Sequence, residues 1–187
     1  MDQTCGPERK VRLRPLTSNE QDFELLARWL SQPEIRHFYP ENPDIVHLCH
    51  KFGSRTAPDS RVRPFVIQYQ EIPVGYAQYY VLTSDESMAY GLPLEELWGG
   101  FDLFIGDINQ WGKGVGLKTC HWLMDALCQQ KVVGVAIDCD ATNVRALHLY
   151  KKVGFSVRKT IRPRETDRVQ TLLTWSLGAE CGDGELR

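Results

Sequence analysis

A glycine-rich turn near the middle of the chain separates an apolar segment from an amphipathic one, and this arrangement constrains the fold more than any other feature. The apolar segment, Trp98 to Gly106, predicts a buried strand. The turn runs from Trp111 to Gly116 with glycine at every second position, and apolar positions recur after it at helical spacing, at Gly116, Cys120, Leu123 and Leu127. The sequence therefore predicts a strand, a glycine-rich turn and a helix, in this order.

The same turn predicts a site for a phosphate group. Glycines let a ligand approach the backbone, the first amides of a helix have no partner inside the helix, and Lys113 adds a positive charge. The glycine spacing differs from the dinucleotide fingerprint, and no Gly-Lys-Ser/Thr sequence ends the turn, so another phosphate-bearing group is required. A tight loop with a purely structural role is the alternative.

A second motif lies further along the chain. Val135 to Asp138 predicts a short strand, and the sequence Asn143-x-x-Ala146-x-x-x-Tyr150-x-x-x-Gly154-Phe155 follows it. Together the two motifs resemble those of the GNAT superfamily of acyl-coenzyme A dependent N-acetyltransferases. The resemblance implies an α/β (α+β) GNAT fold: one mixed, mostly antiparallel twisted sheet with a central splayed parallel strand pair, flanked by helices.

A closer resemblance extends from about Val11 to Trp175. The segments Gly75 to Gln78, Phe101 to Gly106 and Trp111 to Gly116, with Asp138 placed before Asn143, are similar to those of the aminoglycoside 6'-N-acetyltransferases. This resemblance implies acetyl-CoA as co-substrate and a polycationic aminoglycoside as acceptor. The acceptor amine would attack directly in a ternary complex, and the enzyme would confer aminoglycoside resistance.

The resemblance also implies site residues. Asp102 would lie beside the acceptor amine as a proton relay or electrostatic trap, and Tyr150 would donate a proton to the departing thiolate. Further acceptor contacts are expected from Asp138, Phe38, Tyr39, Tyr76, Gln78, Glu95 and Glu96. The cofactor would bind Leu103, Phe104, Ile105, Trp111, Gly112, Lys113, Gly114, Val115, Gly116, Asn143, Ala146 and Tyr150.

Each of these assignments has a structural alternative. A charged residue inside an apolar strand is disfavoured unless it is paired, which singles out Asp102, although an outward-facing residue of an edge strand would also fit. Asp138 could instead stabilise a turn, Phe38 and Tyr39 could pack in the core, and Tyr150 could be a core tyrosine. Asp140 is expected to cap the following helix. Trp111 stands where many family members have Arg or Gln before the first glycine, so the phosphate contact expected there is with backbone amides and not with this side chain.

Charge is distributed unevenly along the chain. The net charge is only -2, yet no Lys or Arg occurs from Pro64 to Gly112, where the acidic residues are Glu71, Asp85, Glu86, Glu95, Glu96, Asp102 and Asp107. A cleft lined by one sign of charge concentrates ligands of the opposite sign, which favours a polycationic acceptor and argues against nucleic acid. A solvated acidic loop is the alternative.

Length and composition favour a single domain over residues 1–187, with a core at about 10–177 and a mobile tail at 178–187. No apolar window suits a membrane span or a signal peptide, so we expect a cytoplasmic protein. The six cysteines form no Cys-x-x-Cys pair, and no metal is expected. A monomer and a homodimer are both compatible with the sequence.

Periodicity predicts the remaining elements. Strands are expected at 10–16, 64–70, 74–81, 157–161 and 169–177, with a hairpin turn at 71–73. Helices are expected after Asn19, ending at Pro33, and at 44–52, with a loop at 53–63. The segment from Thr83 to Leu97 reads as an irregular acidic loop that would carry acceptor specificity.

Other functions are compatible with these observations. Within the same enzyme class, the acceptor could be a protein N-terminus, a polyamine or a siderophore amine, all of which would also favour acidic residues. From another class, a non-catalytic sensor of coenzyme A or of a cationic drug would keep the fold. The presence of both Asp102 and Tyr150 argues against the sensor.

Overall fold

The computed structural model describes residues 11–162 and 168–176, and these residues form a single seven-stranded sheet in the order β1-β2-β3-β4-β5-β7-β6. The strands are β1 (Val11–Pro15), β2 (Val62–Tyr69), β3 (Ile72–Val81), β4 (Trp98–Ile105), β5 (Gly134–Asp140), β6 (Ser156–Ile161) and β7 (Gln170–Ser176). Every neighbouring pair is antiparallel except β4 and β5, which are parallel. The predicted mixed, mostly antiparallel sheet is confirmed.

β4 and β5 pair only at their first residues. Trp98 lies opposite Gly134 and Gly99 opposite Val135, and no pairing follows. A Cβ atom at Gly134 would lie 2.5 Å from the Trp98 ring and 2.6 Å from the Trp175 carbonyl oxygen, so only glycine fits at the contact. Beyond it the strands separate, which confirms the predicted splayed pair.

Two groups of helices cover the two faces of the sheet. On one face α1 (Glu20–Leu30), α2 (Pro33–Arg36) and α3 (Ile45–Gly53) pack on a cluster that includes Tyr76 and Phe104, and α4 (Ser84–Tyr90) covers the neighbouring part. On the other face α5 (Val115–Gln129) and α6 (Val144–Val153) pack on a cluster that includes Phe101 and Ile137. Successive residues of a strand point to opposite faces, so β4 contributes Phe101 to one core and Phe104 to the other.

The segment from Thr83 to Leu97 contains a helix, and the prediction of an irregular loop was wrong. Thr83 Oγ1 accepts a hydrogen bond from the Glu86 backbone at 3.2 Å, and Glu86 Oε2 accepts one from the Thr83 backbone at 2.7 Å. This capping box starts α4, and Gly91, with φ 68°, ends it. Glu86 also pairs with Arg61 at 2.9 Å, so this part of the acidic span is neutralised locally.

Smaller corrections concern the ends of elements. α1 ends at Leu30, and Pro33 occupies the start of α2 instead of ending α1. The hairpin turn lies at Gln70 and Glu71, not at 71–73, because β3 already begins at Ile72. The predicted loop at 53–63 contains a short 3-10 turn, Ser54–Thr56, and the first residues of β2. Residue 10, residue 177 and the predicted tail at 178–187 lie outside the described residues.

Asp140 does not cap α6, contrary to expectation. The N-cap is Asn143, whose Oδ1 accepts a hydrogen bond from the Ala146 backbone at 3.1 Å. Asp140 Oδ1 instead accepts one from the Thr142 backbone at 2.8 Å, and its Oδ2 pairs with Arg168 at 3.2 Å. Across residues 11–162 and 168–176, no helix combines the length and apolar character needed to cross a membrane.

Candidate active site

A cleft with a volume of about 560 Å³ opens where β4 and β5 separate. Its walls come from the two strands, the segment after α2, the glycine turn and α6. Most of the predicted site residues line it: Phe38, Tyr39, Asp102, Leu103, Phe104, Ile105, Trp111, Gly112, Gly114, Val115, Gly116, Asp138, Asn143, Ala146 and Tyr150.

The other predicted site residues lie outside the lining of this cleft. Glu95 and Glu96 are exposed before β4, and Glu96 accepts a hydrogen bond from the Trp98 indole at 3.1 Å. Lys113 is exposed in the glycine turn. Tyr76 and Gln78 are 0% and 6% exposed, so they support the cleft from behind its wall.

Asp102 lies half-buried at the middle of β4, opposite Gln78 of β3. The Gln78 amide nitrogen donates a hydrogen bond to Asp102 Oδ2 at 2.6 Å. Burial raises the pKa of Asp102 above its ordinary value, and the negative charge of Asp138 adds to this, while the Gln78 hydrogen bond and Arg55 oppose it. A carboxyl group in this setting holds a proton more readily than one in water.

Asp138 lies across the separation from Asp102. If the pairing of Trp98 with Gly134 continued in register, Asp102 would be the direct partner of Asp138, and both side chains would lie on the same face. The Tyr90 hydroxyl donates a hydrogen bond to Asp138 Oδ1. Burial raises the pKa of Asp138, and this hydrogen bond opposes the rise. The sequence analysis missed Tyr90, although the capping box at Thr83 was a signal for its helix.

Tyr150 approaches the cleft from α6, on the opposite face of the sheet. It is 6% exposed and packs edge-on against Phe101, with ring centroids 6.1 Å apart. Burial raises the pKa of Tyr150 well above its ordinary value, so its hydroxyl stays protonated at neutral pH. The carboxyl groups and the tyrosine hydroxyl therefore meet at the gap from different sides.

The glycine turn leaves open space and free backbone amides at the start of α5. Gly112 and Gly114 have φ of +76° and +81°, and a Cβ atom at either would meet nothing within 4 Å. The first helical hydrogen bond runs from the Lys118 backbone to the Gly114 carbonyl, so the preceding amides of α5 have no partner inside the helix. Gln110 Oε1, also at the cleft, is buried without a hydrogen-bond partner among the described residues. These free groups fit the pyrophosphate and amide groups of coenzyme A.

Trp111 has a role that the sequence analysis did not foresee. Its indole nitrogen donates a hydrogen bond to the Ile105 carbonyl at 2.8 Å, and Arg145 stacks on its ring at 3.5 Å. Arg145 lines the cleft beside the glycine turn and was also missed. Its place in the first turn of α6 was visible in the sequence, but its contact with Trp111 depends on the tertiary fold.

The edge of β4 that faces the gap carries unpaired backbone groups. The Trp98 carbonyl bonds to Leu82, next to β3, and backbone groups alternate sides along a strand, so those of Leu103 and Ile105 face β5. Those of Phe104 face β3 instead. The Ile105 carbonyl already accepts a hydrogen bond from the Trp111 indole. The backbone amide and carbonyl of Leu103 and the amide of Ile105 are left to bind a ligand.

Asn143 contributes to the same wall of the cleft. Because its Oδ1 caps α6, only the Nδ2 group of its side chain is left to donate to a ligand. The described residues, 11–162 and 168–176, contain no group of three or more His, Cys, Asp or Glu side chains that could hold a metal ion.

Comparison with known proteins agrees with this geometry. Residues 18–162 match the family model for the acetyltransferase (GNAT) domain. The chain is 26% identical over 155 residues to the aminoglycoside N(6')-acetyltransferase type 1 of Klebsiella pneumoniae, covering 81% of this chain and 76% of the relative. A protein of the same name from Serratia marcescens matches equally well.

Solved structures show the same fold. An aminoglycoside acetyltransferase in complex with coenzyme A and kanamycin superposes with a TM-score of 0.72 at 23% identity, covering 90% of this chain and 95% of that one. The aminoglycoside N(6')-acetyltransferase of Legionella pneumophila gives a TM-score of 0.68 at 20% identity, covering 92% and 95%. With the family match over most of its length, the chain belongs to the GNAT acetyltransferase family and is an acetyl-CoA dependent N-acetyltransferase.

Proposed function

We propose that this enzyme transfers an acetyl group to a primary amine of an aminoglycoside, at the 6' position, by direct attack in a ternary complex. The observation that carries the proposal is the pair of half-buried carboxyl groups, Asp102 and Asp138, on one face of the gap. A polycation brings several ammonium groups on one rigid frame, so one can bind at each carboxylate.

Asp102 is the residue proposed to receive the reacting amine. An alkylammonium has a pKa of about 10, so it must lose a proton before it can attack. A carboxylate orients the ammonium but also stabilises its charged form, while the raised pKa of Asp102 makes its carboxylate a better proton acceptor than one in water. Asp102 then serves as a binding group that passes the proton to water.

Asp138 and the aromatic residues would hold the rest of the acceptor. Tyr90 fixes one oxygen of Asp138, which leaves the other for a second ammonium group. Phe38 and Tyr39 line the cleft after α2, and Tyr39 packs edge-on against Phe104 with centroids 5.0 Å apart. Apolar rings on this wall suit the faces of a sugar ring.

The cofactor side supplies a different set of contacts. Acetyl-CoA, when bound, supplies the activated thioester. Its pyrophosphate would be held by the α5 amides with Arg145 alongside, and its pantetheine arm by Leu103, Ile105 and Asn143. The Tyr150 hydroxyl would donate a hydrogen bond to the sulfur as negative charge develops on it.

The names of the relatives support the acceptor class, since proteins 26% identical to this chain are called aminoglycoside N(6')-acetyltransferases. A polyamine is the second candidate. A spermidine N-acetyltransferase of Vibrio cholerae superposes with a TM-score of 0.70, although at 16% identity this likeness concerns the fold alone.

The test offers acetyl-CoA with kanamycin, spermidine and an N-terminal peptide in separate reactions, and follows thiol release. We expect release with kanamycin and a product whose fragmentation places the acetyl group on the 6'-amine. Asp138→Asn should raise KM for kanamycin at least about tenfold while the affinity for coenzyme A stays constant, since Asp138 would bind acceptor only. Release with spermidine or peptide alone would overturn the aminoglycoside assignment.

The resistance phenotype gives a second, cellular test. Expression in a susceptible bacterium should raise the minimal inhibitory concentration of kanamycin, and Asp102→Asn should abolish this rise. Equal resistance from both proteins would contradict the role of Asp102 in binding and acetylating the drug.

A further inference from the structure

Arg55 contacts Gln78 behind Asp102 and does not itself line the cleft. It lies in the 3-10 turn after α3, and its guanidinium stacks on the Phe52 ring at 4.6 Å. Its NH1 group donates a hydrogen bond to Gln78 Oε1 at 2.6 Å. None of the ion pairs among residues 11–162 and 168–176 includes Arg55. A half-buried arginine that contacts a neutral amide instead of a carboxylate calls for an explanation.

The contacts of Gln78 supply the explanation. Its Oε1 accepts hydrogen bonds from Arg55 at 2.6 Å and from the Tyr76 hydroxyl at 2.7 Å, and its Nε2 donates to Asp102 Oδ2 at 2.6 Å. Gln78 is 6% exposed, so water has little access to its amide. Every polar atom of this amide therefore has a protein partner.

An amide can bind in two orientations, and Arg55 decides between them. A guanidinium donates hydrogen bonds and accepts none, so the amide atom that faces Arg55 must be oxygen, and the nitrogen then faces Asp102. Tyr76 could not fix the orientation alone, because a hydroxyl both donates and accepts. Without Arg55 the amide could turn over and present its oxygen to Asp102, an arrangement that requires a protonated carboxyl group.

We propose that Arg55 is a positioning residue that fixes the orientation of the Gln78 amide and thereby keeps Asp102 ionised for the acceptor amine. The inference rests on the proposed function only in the role of Asp102 as acceptor ligand. The positive charge of Arg55 acts in the same direction, since it favours the carboxylate form of Asp102. This role explains why a positively charged residue, Arg55, lies close to a site proposed to bind a cationic acceptor.

Other titratable groups surround Asp102 and bear on the experiment. Asp138 raises the pKa of Asp102, and the remaining neighbours are tyrosines whose pKa values lie above the ordinary value, so they stay neutral below pH 9: Tyr39, Tyr76, Tyr80, Tyr90 and Tyr150. Glu41 also influences Tyr39 and Tyr76 but is itself paired with Lys51. Among these groups only Asp138 and Glu41 are carboxyl groups that titrate at acid pH beside Asp102.

The experiment measures the pKa of Asp102 directly. The protein is labelled with ¹³C at the aspartate side chains, titrated by NMR without acceptor, and the Asp102 signal is identified by its loss in Asp102→Asn. We expect Arg55→Met to raise the pKa of Asp102 by about one unit, and Arg55→Lys to leave it within about 0.3 units, because lysine also donates and carries the charge. Arg12→Met is the matched control, since Arg12 pairs with Glu71 on the exposed edge of the sheet.

Two further results keep the proposal open to refutation. Tyr76→Phe should leave the pKa of Asp102 within about 0.3 units, because Arg55 alone fixes the amide. A wild-type pKa in Arg55→Met, or a rise in Tyr76→Phe as large as that in Arg55→Met, would overturn the proposal. If Arg55→Met loses its affinity for coenzyme A and does not fold, Arg55→Gln takes its place with the same expected rise, and a rise of about one unit in Tyr76→Phe would overturn the proposal.

A kinetic measurement connects the pKa to acetyl transfer. With kanamycin, the acid limb of kcat/KM against pH should move upward in Arg55→Met by the same amount as the NMR pKa. If no offered acceptor is acetylated while the NMR pKa still rises, the proposed function fails and the role of Arg55 toward Asp102 holds. If the NMR pKa of Asp102 is unchanged in Arg55→Met while kanamycin is acetylated normally, the role of Arg55 fails and the proposed function holds.

Discussion

Tyr150→Phe separates a catalytic tyrosine from a core tyrosine more sharply than any other change to this enzyme. The ring of Tyr150 packs against Phe101 and Phe155 at centroid distances of 6.1 and 6.0 Å, and phenylalanine keeps both contacts. The hydrogen bonds of the described residues include none from the Tyr150 hydroxyl, so its removal leaves no buried partner unsatisfied. The free energy of unfolding should therefore change by less than about 0.5 kcal/mol.

The catalytic effect of the same change should be large. Removing one donor from developing charge costs about 2.7–4 kcal/mol, which corresponds to a fall in kcat of about 100- to 1000-fold. Burial keeps the pKa of Tyr150 well above its ordinary value, so the wild-type hydroxyl remains a neutral donor at pH 9 and the difference in kcat between wild type and variant should persist there. The assay is steady-state thiol release, with thermal unfolding and coenzyme A affinity as controls for the fold. A kcat within about threefold of the wild-type value would refute the role and make Tyr150 a core residue.

Three further changes test the site and its scaffold. Asp102→Asn should lower kcat/KM at least about 100-fold. It should also raise the urea midpoint at pH 7, because the pKa of Asp102 is raised in the folded state and its ionisation above that pKa therefore destabilises the fold. An unchanged midpoint would contradict this reasoning. Gly134→Ala should lower stability by about 1–3 kcal/mol, since its Cβ would lie 2.6 Å from the Trp175 carbonyl, whereas Gly53→Ala, with its nearest contact at 3.6 Å, should not. Asp22→Asn should cost about 3 kcal/mol in urea unfolding at pH 7, because Arg14 and Thr17 hold that buried carboxylate. The hydrogen bonds from Arg14 and Thr17 outweigh burial and lower the pKa of Asp22. The ionised Asp22 should therefore stabilise the fold at neutral pH, and this contribution should disappear as the pH falls through the lowered pKa. Asp22→Asn should show no such loss.

The sequence predicted those parts of the molecule that depend on local pattern. The strand from Trp98, the glycine turn and the helix after it follow from periodicity and from the conformational freedom of glycine, and the structure confirms them. Asp102 stood out because a charge inside an apolar strand needs a partner, and Gln78 is that partner. The resemblance added the mixed, mostly antiparallel sheet and its splayed parallel strands, which no local pattern contains.

The features that the sequence did not predict depend on contacts between distant residues. Tyr90 and Asp138 are separated by 48 positions, and Arg55 and Gln78 by 23, so neither contact leaves a periodic signal. The wrong prediction of an irregular loop at 83–97 has another cause. The many acidic residues of this segment favoured a loop, although the sequence also contains the capping box that starts α4. Asp140 and Asn143 both suit an N-cap, and only the path of the chain after β5 decides between them.

The separation of β4 from β5 gives the proposed acceptor site and the proposed cofactor site a common physical origin. In a closed parallel ladder Asp102 and Asp138 would stand as direct neighbours at about 5 Å, where like charges destabilise the pairing. The strands part instead, and the Leu103 backbone groups lose the ladder partners that β5 would have provided. Unpaired backbone groups favour a ligand with amide groups of its own, such as pantetheine. The same pair of carboxyl groups would therefore attract the proposed cationic acceptor and help to hold open the gap in which a thioester could meet it.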